Sequence, residues 1–198
     1  MQSAAAEAAP AAAAPAEAAP ADAAPAEAGL MQKERPRVKD FKFRPWDVTD
    51  AQLYKEQMDN ENIWKFMDGY PGPMDVKMAV DMIELANNSD AHEVRAVEYQ
   101  GRVVGQVRLM FDKDVETCAE LSYLIFEPYW GKGLAVPMIH AYRCDFAVRL
   151  PYRTMTAVID KRNEASIAVA KKAGFWRMDL PVLRRESFGE LLIFQALI

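Results

Sequence analysis

Gly131 and Gly133, separated by one lysine, stand in the segment Leu124-Ile-Phe-Glu-Pro-Tyr-Trp-Gly-Lys-Gly-Leu-Ala135. The residues before Glu127 alternate as in a strand, and the apolar spacing after Gly133 is helical, so the glycines occupy a strand-to-helix turn. Glycine there removes side chains where a ligand could approach the main chain closely. The first N–H groups of a helix have no partner within it, and with the helix dipole they favour phosphate oxygens. Lys132 adds a positive charge. These residues predict a diphosphate cradle, although turn chemistry alone leaves a purely structural connection open. The pattern is neither a Walker loop nor a dinucleotide fingerprint, since Val136 replaces the third glycine of G-x-G-x-x-G. Pro137 is expected to fit only if the helix starts near Lys132 or Gly133.

A second segment, Asp160-Lys-Arg-Asn163-Glu-Ala-Ser166 and onward to Lys172-Ala-Gly174-Phe175, follows an apolar stretch. Asn163 is placed to cap a short helix, and Gly174 to end it in the left-handed conformation. Together the two segments resemble the GNAT superfamily of acyl-CoA-dependent N-acetyltransferases, with the closest similarity to the Rim-type group that acetylates ribosomal proteins. The close resemblance spans residues 118–176, and the order of elements extends it over 38–198.

The resemblance implies acetyl-CoA as cosubstrate and no metal. Backbone groups of Leu124, Ile125 and Phe126 would pair with the pantetheine arm like an added strand. Amides of Trp130, Gly131, Lys132, Gly133, Leu134 and Ala135 would hold the diphosphate. Asn163 would contact the pantetheine, Ser166 would lie near its sulfur, and the sheet would splay after the 118–126 strand. Many members carry a tyrosine in the helix after the asparagine to protonate the leaving thiolate. Here that position is Ala170, and Ser166 is the expected substitute.

Acyl transfer from a thioester to an amine needs alignment, donors for the oxyanion and a base for the amine proton. Glu120, on the strand beside the implied slot, is the candidate base; a solvated strand glutamate is the alternative. The implied acceptor side contains Asp59, Glu61, Asp68 and Asp75, with Lys65 as its only cation, and the aromatics Trp64, Phe66 and Tyr70. An acidic, aromatic mouth suits a cationic amine such as a peptide N-terminus or polyamine. Asp68, Tyr70 and Tyr123 are its candidate contacts, against the alternative of an ordinary acidic surface loop. His92 and His140 read as surface residues.

These groups need a frame. Alternation predicts strands over 38–46, 92–99, 102–111 and 118–126, with a two-residue turn at Gln100-Gly101. Val103, Gly105, Val107, Leu109 and Phe111 are expected on one face. Thr49 or Asp50 should cap a helix to about Met58, residues 60–74 read as loop, and Asp75 opens a helix with Val76, Val80 and Ile83 on one face. A helix over 133–149, a strand over 152–159 buried on both faces, the 163–174 helix and strands near 175–183 and 188–197 complete the chain. The expected fold is α/β (α+β), a mixed, mostly antiparallel sheet flanked by helices, in the order β-α-α-β-β-β-α-β-α-β-β.

Composition narrows the function. The chain has 198 residues, 24 basic and 29 acidic, for a net charge of −5, which argues against a dedicated nucleic-acid binder. No run approaches the ~20 apolar residues of a membrane span. Two cysteines supply neither a disulfide framework nor a four-thiolate zinc site. Proline every five residues in an alanine-rich segment makes 1–30 an expected disordered tail and 31–198 the domain. The expectation is a cytoplasmic acetyltransferase acting on a primary amine in a ternary complex, with a homodimer left open. A non-catalytic acyl-CoA-binding or sensing module is the alternative.

Overall fold

The computed structural model describes residues 35–67, 72–111, 117–150, 152–179, 183–184 and 190–198. The Ala/Pro-rich segment 1–30 and the candidate residues Asp68 and Tyr70 lie outside the described residues. In chain order the elements are β1 (Phe41–Arg44), α1 (Ala51–Met58), α2 (Glu61–Trp64), α3 (Val76–Asn87), β2 (His92–Tyr99), β3 (Arg102–Phe111), β4 (Cys118–Ile125), α4 (Ala135–Arg149), β5 (Thr154–Asp160), α5 (Glu164–Lys172), β6 (Trp176–Arg177), β7 (Leu183–Arg184) and β8 (Glu190–Leu197).

One mixed sheet runs β1-β2-β3-β4-β5-β8-β6, with β7 also on β8. Among the described strands β4 and β5 form the one parallel pair; the rest are antiparallel. The expected mostly antiparallel sheet flanked by helices is therefore observed. The β2–β3 hairpin turns on Gln100 and Gly101, both at positive φ (51° and 75°), as a two-residue connection requires.

Helices α4 and α5 cover one face, where Leu121, Tyr123, Ile125, Met155, Ala157 and Phe194 are buried with Met138, Tyr142 and Phe146. Helices α1 and α3 cover part of the other, where Trp46, Tyr54, Ile63, Ala79 and Ile83 pack on Ala96, Leu124 and Phe126.

Short elements differ from the sequence expectation. Asn60 accepts from the Asn62 N–H and starts the one-turn α2 inside the expected loop. Within the strand expected over 175–183, Trp176–Arg177 form β6, Met178 and Asp179 are outside any strand, and Leu183 opens β7. Residues 38–40 form a 3-10 turn, because the Asp40 carboxylate accepts from the Arg37 N–H at 2.9 Å and the strand can begin only at Phe41. The cap expected from Thr49 or Asp50 belongs to Asp47, which accepts from the Thr49 N–H at 2.8 Å and starts a 3-10 turn leading into α1. Asp75 caps α3 as expected, accepting from Met78 N–H at 2.7 Å, but Ala79 and Ile83 are the buried face and Val76 is exposed. Strand β5 alternates instead of being buried on both sides: Met155, Ala157 and Ile159 are buried under the α4/α5 layer, whereas Thr154, Thr156 and Val158 are half-buried.

In β3 the expected single face is broken by a bulge. The β2–β3 register shifts between Val97 and Glu98, leaving Val104 as the extra residue. Val104 therefore joins Val107 and Leu109 in the α4/α5 core, while Val103 turns to the α1/α3 side. Gly105 follows the bulge, and a Cβ there would lie 2.2 Å from the Leu124 carbonyl oxygen. Only glycine permits this approach of β3 to β4. Gly105→Ala is expected to destabilise the fold by about 2 kcal/mol or more through overpacking. Urea denaturation checks this, and a wild-type midpoint would refute the close approach.

Helix α4 is fixed by charge as well as packing. Glu93 on β2 accepts from the Tyr142 hydroxyl at 2.8 Å and from both terminal nitrogens of Arg149 at 2.8 and 2.7 Å. Burial alone would raise the Glu93 pKa, but the bonds from Arg149, Tyr142 and Arg95 outweigh it and hold the carboxyl at about 2. A depressed carboxylate contributes stability above its ordinary value, and that contribution is lost as pH falls toward the folded-state value. Glu93→Gln is therefore expected to be less stable than wild type at neutral pH, with the difference shrinking between about pH 4.5 and 2. Denaturation midpoints across that window test this.

Candidate active site

Strands β4 and β5 pair at Cys118 with Thr154, Ala119 with Met155 and Glu120 with Thr156, and then separate. Each follows its antiparallel partner: β4 stays with β3 through Ile125, and β5 stays with β8 through Asp160. The two strands thus splay, but part-way along β4, just past Glu120, and not after the 118–126 strand as expected, because β4 stays with β3 while β5 stays with β8.

The backbone of β4 aims alternate groups into this split. Phe126 N–H donates to Val104 O at 2.9 Å, so by antiparallel alternation Ser122 and Leu124 also direct their amides at β3. Tyr123 and Ile125 face the split. Of the expected Leu124, Ile125 and Phe126 contacts, only Ile125 aims both of its backbone groups there, and its carbonyl accepts from the Trp130 indole at 2.6 Å. Trp130 thereby folds the following turn back over the end of β4.

That turn contains Gly131 and Gly133, at φ +72° and +68°. A Cβ built on either would meet nothing within 4 Å, so the space beside them is open to a ligand. Helix α4 begins at Ala135, two residues later than expected, with Leu134 O accepting its first helical bond from Met138 N at 3.0 Å. Pro137 consequently occupies the first turn, where its missing N–H leaves no helical bond unmade. Lys132 lies 5.3 Å from the centre of the Tyr129 ring, and burial and the nearby Arg102 lower its pKa. The turn borders an open groove of ≈ 710 Å³ that is also lined by Arg35, Arg37 and, from α4, His140. Open glycines, a helix start and clustered cations fit the diphosphate of a CoA-type cosubstrate.

Across the split, Asn163 caps α5 by accepting from Ser166 N–H at 3.1 Å. Both residues are buried. The Tyr123 hydroxyl lies 2.9 Å from Ser166 Oγ and donates to Ser166 O at 3.0 Å. Tyr123 was expected among the acceptor contacts; the structure places it on the α4/α5 side of β4, facing Ser166. Burial raises its pKa, opposed by the Ser166 bond, so the phenol is held protonated.

Glu120 projects from the opposite face. Its neighbours in the register are Met110 on β3 and Thr156 on β5, and Arg108 is close enough to feel its charge. Arg108 Nη2 also lies 3.4 Å from His92 Nε2 and within electrostatic reach of Tyr54. His92 is thus a half-buried neighbour of this cluster, and burial and Arg108 lower its pKa. Glu120 and Ser166, the two expected catalytic residues, occupy opposite sides of the split.

Sequence reasoning missed three features. Arg108 had a signal, as a polar residue in the alternation of β3. Glu127 accepts from Asn62 at 2.9 Å and also from Asn60, tying α2 to the turn, but nothing local pairs residues so distant in sequence. The same holds for Arg35 and Arg37 on the groove wall. Among the described residues no group of His, Cys, Asp and Glu is arranged to hold a metal, and no helix is long and apolar enough to cross a membrane.

Known proteins share this frame, and the class it defines is that of the acetyltransferases. Residues 40–176 match the family described as acetyltransferase (GNAT) domain. The chain belongs to that family and is an acetyl-CoA-dependent N-acetyltransferase. It is 30% identical over 123 residues to an uncharacterized SPbeta prophage-derived N-acetyltransferase, YokL, of Bacillus subtilis, covering 62% of this chain and 68% of that protein. It is 28% identical over 141 residues to spermidine N(1)-acetyltransferase of Escherichia coli K12, covering 71% and 75%. Its fold is shared with RimL, a ribosomal L7/L12 α-N-protein acetyltransferase, at TM-score 0.65 and 16% identity over 83% of this chain and 93% of that one.

Gly131→Glu places a bulky acid at positive φ in the groove. It is expected to abolish measurable acetyl-CoA binding in calorimetry while the domain stays folded by circular dichroism; retained affinity would remove the turn from the cofactor site.

Proposed function

We propose that this enzyme acetylates a primary amine, a peptide N-terminus or a small cationic amine, by direct attack in a ternary complex. The observation that carries the reading is the split between β4 and β5, with the glycine turn at its mouth and Glu120 at its inner end. The diphosphate rests on the turn from Trp130 to Ala135, and the pantetheine extends along the split past Asn163 toward Ser166. Relatives named for spermidine and for a protein N-terminus support an amine acceptor. Reliance on acetyl-CoA, a cytoplasmic metabolite, supports a cytoplasmic location.

Glu120 takes one proton from the incoming ammonium, directly or through water, leaving a nucleophilic amine. The amine nitrogen bonds to the thioester carbonyl carbon, whose oxygen becomes anionic and is met by a backbone N–H lining the split. As the C–S bond breaks, the nitrogen gives its second proton to water, the thiolate accepts one from the Tyr123–Ser166 pair, and solvent reprotonates that pair while Glu120 releases its proton to solvent. Products are the acetamide and CoA thiol. Arg108 lies close enough to Glu120 for their opposite charges to attract, which fixes the position of the base.

Glu120→Gln is expected to lower kcat by about 100-fold or more, with acetyl-CoA affinity unchanged and the acid limb of the pH–rate profile lost. Tyr123→Phe should lower kcat without weakening cofactor binding. Free-thiol release with a panel of peptides, spermidine and aminoglycosides, followed by mass spectrometry of the acceptors, reads these effects. Unchanged turnover and pH profile in Glu120→Gln would remove Glu120 from the mechanism.

A further inference from the structure

We propose that the sheet face running from Glu120 to Trp176 is a track for the body of the acceptor, that the acceptor is a peptide, and that Trp176 makes its affinity depend on its length. The proposal rests on the reading of Glu120 as the base for an amine acceptor and names the acceptor which that same site takes.

The first observation is register. Glu120 on β4 pairs with Thr156 on β5, Thr156 pairs with Gln195 on β8, and Gln195 pairs with Trp176 on β6. Paired residues of neighbouring strands direct their side chains to the same face. The four therefore form one row across the sheet, on the face opposite α4 and α5. Glu120–Thr156 is the last pair before β4 and β5 part, so the row crosses where the floor is still continuous.

The second observation is exposure. Helices α1 and α3 pack on Val94, Ala96, Val103, Leu124 and Phe126, and no described residue of β5, β6 or β8 joins that cluster. Glu120, Thr156 and Gln195 are half-buried, and Trp176 on the edge strand is 45% exposed. An indole so placed offers a ligand on the row both an apolar face and an N–H donor.

The chemistry of the row selects the occupant. Beyond Glu120 it carries a hydroxyl, a carboxamide and an indole, and no charged group. Val158 and Ile193 pair on one flank, Thr154 and Leu197 on the other. A polyamine would set its second ammonium against this uncharged surface, with no carboxylate in the row to meet it. Peptide amides find donors and acceptors in Thr156 and Gln195, and peptide side chains find the apolar flanks. Neighbouring strands lie about 4.8 Å apart, so the three steps from Glu120 to Trp176 span about 14 Å. An extended peptide rises about 3.4 Å per residue, which brings its fourth or fifth residue to the indole.

Steady-state kinetics on the full chain, with peptides of two and of six uncharged residues and with spermidine, test the proposal. Wild type is expected to show a KM about fivefold or more lower for the longer peptide than for the shorter, as for an aromatic anchor at an interface. Trp176→Ala should erase that ratio through KM and not kcat, with acetyl-CoA affinity by calorimetry and melting temperature as in wild type. Trp176→Phe should retain most of it. Equal KM values in wild type, or a ratio that survives Trp176→Ala, would overturn the track. Turnover of spermidine but of neither peptide would overturn it as well. A wild-type dimer that Trp176→Ala dissociates in light scattering, with the ratio intact, would give the face to a second copy instead. Failure of wild type to acetylate any amine would overturn the proposed function itself, and the track with it.

Discussion

Two strands that run side by side for three residue pairs and then part are the constraint on which the rest of the molecule depends. β4 is committed to β3 and β5 to β8, and the two antiparallel ladders diverge in direction. Main-chain groups left facing the gap need partners, because an unpaired buried amide or carbonyl is costly. The protein supplies one, since the Trp130 indole reaches Ile125 O, and the Tyr123 side chain ties β4 to Ser166 on α5. An extended cosubstrate is well suited to supply others. A defect in the sheet is thereby converted into a binding slot.

The period-two geometry of β4 sorts side chains to the two sides of that slot. Glu120 and Ser122 turn toward the face shared with Arg108, while Leu121 and Tyr123 turn toward α4 and α5. In the proposed reaction a proton leaves an amine on one side and another reaches a sulfur on the other. One strand can carry both groups because consecutive side chains point in opposite directions. The bulge at Val104 and the bare Gly105 let β3 follow β4 closely at the point where β4 leaves its parallel neighbour.

Much of this frame was readable in the chain. The bounds of β2, β3 and their turn follow from alternation interrupted by Gln100-Gly101, since both signals are local. The Asn163 cap and the Gly174 terminator likewise act within a turn of their own residues. Errors collected where a choice between local alternatives was made by distant contacts. The sequence could not say that Val104, and not Val103, faces the α4/α5 core, because a bulge is a property of two strands together. Nor could it say that Val76 would be exposed and Ala79 buried, because α3 is oriented by the sheet beneath it.

The candidate site divides in the same way. The sequence by itself determined the glycine turn, the capped α5 and the strand carrying Glu120, since each depends on backbone preferences and periodicity within about ten residues. Only tertiary structure decided that Tyr123 bonds to Ser166, that Arg108 stands beside Glu120 and that Arg35 and Arg37 line the same groove as the turn. Those pairings join segments far apart in the chain. Their existence depends on how helices and strands pack, a matter of shared burial and not of any residue's own conformational preference.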